Sequence, residues 1–122
     1  MAAPQPVIYQ VAAFDALGAT EETQQIRVLR GGRLRGIAAA ARDSATGNAI
    51  DLALVDLKIE VRGYSIHESA MPASCVADPR STNGFAGIGV RVEQGEQITV
   101  RASAHDLSGS CNARVVVQIE PE

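Results

Sequence analysis

Tryptophan is absent from this 122-residue chain, and only four residues are aromatic: Tyr9, Phe14, Tyr64 and Phe85. Without a core Trp, or a Tyr two residues before the second cysteine, the hallmarks of an immunoglobulin domain are missing. The aromatic platforms that sugar-binding sandwiches usually offer are equally scarce, and the four rings read as core anchors. Lysine occurs once, at Lys58, and the net charge is −3. A general nucleic-acid binder needs a surplus of cations to displace counterions from phosphate, so that function is excluded. The two cysteines, Cys75 and Cys111, have no CxxC or His/Cys cluster around them, which excludes a four-ligand zinc site. Residues 1–6 hold no basic stretch, and no long apolar run follows. Neither a signal peptide nor a transmembrane helix is expected.

What is present points to one all-β domain. At 122 residues the chain is too short for a (β/α)8 barrel or a two-domain nucleotide enzyme. Hydrophobic residues make up 46%, enough to fold, although twenty of them are Ala. Pro4 and Pro6 make residues 1–6 an extended arm, leaving 7–122 as the domain. Val7 to Phe14 is β-branched and aromatic, and reads as a strand. Asp15 to Thr23 reads as a loop or a short helical turn. Gln25 to Arg30 alternates, and Gly31-Gly32 is expected to close a hairpin.

Arg33 to Arg42 contains four consecutive Ala, which favour helix, but also Gly36 and a leading alternation. A strand is the better reading, because small residues suit a strand packed under a neighbour. Asp43 to Asn48 is turn chemistry. Ile50 to Arg62 is the longest strand signal, with a change of phase near Val55 that a β-bulge or a bend would permit. Residues 64–84 form a long connection with one short strand around Tyr64 to His67. The last third alternates cleanly through Ile88–Glu93, Ile98–Ala104 and Ala113–Ile119, and reads as a three-strand antiparallel meander. About eight strands at this length imply a single antiparallel β-sandwich, an eight-stranded jelly roll in preference to an immunoglobulin fold.

The chemistry-bearing residues are sparse. His67-Glu68 and His105-Asp106 each set an acid beside a histidine, but neighbours on a strand point to opposite faces. The two histidines stand 38 positions apart, unlike the close pairs of metal-binding jelly rolls. There is no GxSxG elbow, no GxxxxGK[ST] and no GxGxxG. Catalytic, cofactor and metal residues are therefore assigned to none, and the chain is expected not to be an enzyme. A calcium-assisted sugar site through Asp51, Asp56 or Asp106 is a lesser alternative. Synthesis in a reducing cytoplasm favours two free, buried thiols; a disulfide formed later, outside the cell, is the alternative.

Charge is unevenly placed. Arg27, Arg30, Arg33, Arg35 and Arg42 fall between Thr23 and Arg42 with no acid among them. A basic stripe on an acidic protein suits an acidic protein partner as well as it suits phosphate, or is a solvated strand face. Arg27, Arg30, Arg33 and Arg35 are the candidate partner-binding residues, since Arg is enriched at protein interfaces and Lys depleted.

The order of features (arm, Arg33-Leu-Arg-Gly-Ile37, the long Leu52–Val61 strand, a Ser/Ala/Pro loop, Gly89 to Val100, and a final Arg114–Ile119 strand) resembles a viral group. It is similar to the small jelly-roll proteins of bacterial viruses, capsid cement or decoration proteins and related spike or fibre-head domains. That resemblance implies a non-enzymatic virion structural protein, on the capsid exterior after synthesis in the host cytoplasm. It implies a dimer or trimer that binds major capsid protein, with no cofactor, no direct nucleic-acid contact and no membrane. A carbohydrate- or receptor-binding spike or fibre-head module is the alternative. The resemblance carries no residue-level site.

Overall fold

The computed structural model describes residues 7–62, 64–65, 71–72, 90–105, 107 and 109–121. They form an all-β structure of nine strands: β1 (Ile8–Leu17), β2 (Glu22–Arg27), β3 (Gly32–Asp43), β4 (Val55–Val61), β5 (Tyr64–Ser65), β6 (Met71–Pro72), β7 (Val90–Val92), β8 (Gln97–Ala104) and β9 (Cys111–Pro121). A 3-10 turn over Leu52–Leu54 precedes β4. Two sheets result, both antiparallel. The first runs β1-β9-β3-β7, and the second runs β2-β8-β4-β5 with β6 also on β4.

Strand β9 is the axis of the first sheet. Its residues alternate between buried Cys111, Ala113, Val115, Val117 and Ile119 and outward Asn112, Arg114, Val116, Gln118 and Glu120. β-Branched side chains with a period of two suit a half-buried strand, and here they set the register on both flanks. The second sheet follows the same rule, with Val55, Leu57, Ile59 and Val61 of β4 facing inward beside Ile98, Val100, Ala102 and Ala104 of β8. The buried residues of both sheets belong to one hydrophobic cluster. Phe14 lies directly across from Ala113, which in turn lies across from Ala41, so the one large ring occupies space that two small neighbours leave. Each fully buried Leu or Ile side chain contributes about 2 kcal/mol by removal from water.

Irregularities keep inward and outward faces in phase. In β3 the pairing with β9 shifts between Leu34 and Gly36, so that Leu34 and Ile37 both point inward although their parity differs. In β1 a shift between Phe14 and Leu17, with Ala16 at φ 54°, does the same for those two residues. The strand therefore runs on to Leu17, through a stretch that reads from sequence as loop or helical turn. The alanine-rich Arg33–Arg42 segment is strand, as its alternation indicates. The phase change near Val55 comes from the 3-10 turn before β4, not from a bulge.

Two expectations are corrected. The Gly31-Gly32 pair does not close a hairpin, because β2 belongs to the second sheet and β3 to the first. The last third is not a meander: β7 and β9 lie in the first sheet and β8 in the second. Alternating burial is identical for a strand beside its predecessor and for one across the core from it, so the pattern could not separate these arrangements. Nine strands stand among the described residues where about eight were expected, two of them only two residues long. The arm at 1–6 and most of the 64–84 connection lie outside the described residues.

Gly32 marks a close approach between strands. A Cβ there would lie 2.1 Å from the carbonyl oxygen of Glu120, whereas at Gly18 it would meet nothing within 4 Å. Gly32→Ala is expected to cost about 2–3 kcal/mol, in the range of overpacked sites. Gly18→Ala should stay within about 0.5 kcal/mol. Urea unfolding of the two variants against the parent checks both values.

Candidate functional site

The four candidate arginines converge on one end of the molecule but not on one strand face. Arg27 ends β2, Arg30 lies in the crossover to β3, and Arg33 and Arg35 project from the outer face of β3. All four are exposed. The crossover itself is anchored. Val28 is buried, its N–H donates to the carbonyl of Glu96 at 2.8 Å, and its own carbonyl accepts from Gly95 at 2.8 Å. Gln10 of β1 reaches across, donating to the carbonyl of Arg27 at 2.6 Å and accepting from the N–H of Leu29 at 3.1 Å. Leu29 is left 65% exposed between the two arginines.

Acids that stand far off in sequence enter this end. Glu120 of β9 pairs with Arg35 at 2.9 Å, Glu96 with Arg62 at 3.1 Å, and Glu93 with Arg91 at 3.3 Å. Within the acid-free run from Thr23 to Arg42, Arg35 is thus neutralised from another strand. Arg27 and Arg30 have no ion-pair partner among the described residues.

The two outward faces differ in kind. On the second sheet, Arg101 of β8 bonds Glu60 of β4 at 2.8 Å and lies 3.7 Å from Glu21. The Glu60 hydrogen bond, foremost, raises the guanidinium above its ordinary value. His105 stands 3.7 Å from Asp56. This face is polar and pairs these charges within itself, while Lys58 has no ion-pair partner among the described residues. On the first sheet, Val11, Val116 and Ala38 lie in one row across β1, β9 and β3, flanked by Tyr9 across from Gln118. Tyr9 is 56% and Val11 54% exposed. Tyr9 is therefore no core anchor, whereas Phe14 is buried. The signal for this strip was present in the alternation of β1, where Tyr9, Val11 and Ala13 share the parity opposite to Ala12 and Phe14.

Other sequence candidates are dispersed. Asp51 accepts the N–H of Ala53 at 3.0 Å and so caps the 3-10 turn, and Asp56 faces His105. No group of three His, Cys, Asp or Glu suited to a metal occurs among the described residues. Cys111 is a buried, free thiol, and burial pushes it above the ordinary thiol value. His67, Cys75, Phe85 and Asp106 lie outside the described residues.

No family model matches this chain, and no curated protein or solved structure is similar to it. The face of the first sheet is thus defined by its own chemistry: an apolar strip with arginines at one end.

Because Arg27 and Arg30 are exposed and unpaired, their truncation should leave the fold alone. Arg27→Ala and Arg30→Ala are each expected to shift stability by less than about 0.5 kcal/mol. Thermal or urea unfolding of the two variants measures this directly.

Proposed function

We propose that this chain is a non-enzymatic virion structural protein, a cement or decoration subunit that binds a lattice of major capsid protein from outside. The observation that carries the reading is the contrast between the two outward faces. Tyr9 and Val11, with Val7 just before β1, account for three of the four large hydrophobic residues exposed among the described residues. Tyr9 and Val11 lie on an edge strand whose outer side no other strand pairs among the described residues. A long apolar edge invites another chain, and monomeric proteins usually protect such edges with charge, proline or a bulge; here the bulge sits only at the far end, at Asp15 and Ala16. From Val7 to Phe14, β1 carries no charged residue. Arg27 and Arg30 at one end supply unpaired cations for an acidic partner surface, which favours orientation and rate of encounter.

We read the fold as a jelly-roll sandwich. Its support is the strand order: β1-β9-β3-β7 in one sheet and β2-β8-β4-β5 in the other, with early strands nested between late ones, as two Greek keys wound together would produce. In this reading β6 is an addition to the eight strands. The same edge would serve self-association into a dimer or trimer, and the protein would reside on the capsid exterior.

The test is co-sedimentation of the purified protein with empty shells of the major capsid protein encoded beside its gene. Saturable binding is expected, weakened at least about tenfold by Val11→Arg, which sets a charge in the strip. Arg27→Ala with Arg30→Ala should reduce the binding and its salt dependence together. The reading fails if no capsid gene accompanies this one, if the shells sediment without the protein, or if Val11→Arg binds as the parent does.

A further inference from the structure

At the opposite end of the same outer face lies a cleft of about 550 Å3, within the size range of small-molecule sites. Its shape follows from the register. Ala13 of β1 and Ala40 of β3 flank Arg114 of β9, so two methyl groups form the floor where longer side chains would fill it. The β1 bulge at Asp15 and Ala16 makes one wall, and the turn from Ser44 to Gly47 makes another.

Asn112 ties these walls together. Its Oδ1 accepts the N–H of Ala16 at 3.1 Å and the hydroxyl of Ser44 at 3.1 Å. Ser110 donates to the Ser44 oxygen at 3.2 Å. Asp43 holds the turn from within, accepting the N–H groups of Ala45 at 2.8 Å and Thr46 at 3.0 Å. Those bonds keep its carboxyl below the usual carboxylate value, so it stays ionised. A cleft with both walls fixed loses little freedom when a ligand enters.

Apart from Asp43, the charges lining this cleft are unspent. Arg42 lies across from Asn112 and Arg114 across from Ala40, which makes the two arginines diagonal neighbours on one face, about 7–8 Å apart at the backbone. Neither has an ion-pair partner among the described residues, and the Asp15 carboxylate has no donor there either. Two guanidinium groups present forked donors suited to a carboxylate. Asp15 and Asp43 balance them, so the cleft has no net charge and a dianion gains little over a monoanion. Asp15 is an acceptor in search of hydroxyl donors. Phe14 is buried beneath the floor, so no ring is offered for stacking and recognition is polar.

We propose that this cleft binds a carboxylate-bearing sugar, with the carboxylate on Arg42 and Arg114 and ring hydroxyls donating to Asp15. A side-chain carboxylate of a partner protein would bring no hydroxyls and would leave Asp15 facing an anion. The inference uses none of the strip or arginines invoked for capsid binding and stands apart from that reading.

The test is an NMR titration of the full chain with D-glucuronate, with glucose and with inorganic phosphate, following the Asn112 side-chain amide and the Ala16 N–H. Saturable shifts are expected with glucuronate in the millimolar range, none with glucose, and weaker binding with phosphate. Arg114→Met should weaken glucuronate about tenfold, the loss of one charge-assisted contact. Asp15→Asn should weaken glucuronate while strengthening phosphate. Equal binding of phosphate and glucuronate by the parent protein, no saturable shift, or undiminished binding by the Arg42→Met/Arg114→Met double variant would each overturn the proposal. The three-ligand comparison on the parent protein decides even if a variant fails to fold.

Discussion

The structure depends on the pairing of β9 along both of its edges. It meets β1 at eight registered positions and β3 at eleven, so the longest strands of the first sheet take their facing from it. A slip of one residue would turn Val115, Val117 and Ile119 to solvent, and the apolar core forbids that. The two irregularities, at Asp15–Ala16 and at Arg35, are the local cost of keeping long flanking strands in phase with this one. They also place side chains. The first raises a wall of the cleft beside Arg114, and the second brings Arg35 to Glu120.

From that register the two ends of one outer face acquire different chemistry. At the Arg33 end, the strip of Tyr9, Val11, Val116 and Ala38 is apolar and borders exposed cations. At the Ser44 end, two arginines stand over an alanine floor between hydrogen-bonded walls. The second sheet shows no exposed large hydrophobic residue among the described residues, and there Arg101 meets Glu60 and His105 meets Asp56. Such exposed pairs add little stability, and Lys58 and Arg27 of this sheet stay without an ion-pair partner among the described residues. The two outer faces thus differ chiefly in apolar exposure, which lies on the first.

Period-two alternation made strands β3, β4, β8 and β9 legible in the sequence, including the alanine run that helix propensity would claim. It could not say which sheet each strand joins, since burial on either side of a shared core gives the same pattern. That is why a hairpin was expected at Gly31-Gly32 and a meander at the C-terminal third. The arginine run was visible, but the partner of Arg35 was not: Glu120 approaches only through folding. The cleft was invisible for the same reason. Asp15, Arg42 and Arg114 are distant in sequence and meet because β1, β9 and β3 are adjacent. Asn112, which joins its walls, carries no motif at all.

The central claim is that the outer face and free edge of the first sheet form the binding surface. Hydrogen–deuterium exchange of the protein, free and bound to capsid shells, tests it most directly. The account predicts that the largest gain in protection falls on residues 8–14 of β1, whose outer edge has no strand partner among the described residues. Protection gained on 55–61 and 97–104 of the second sheet, with β1 unchanged, would contradict it.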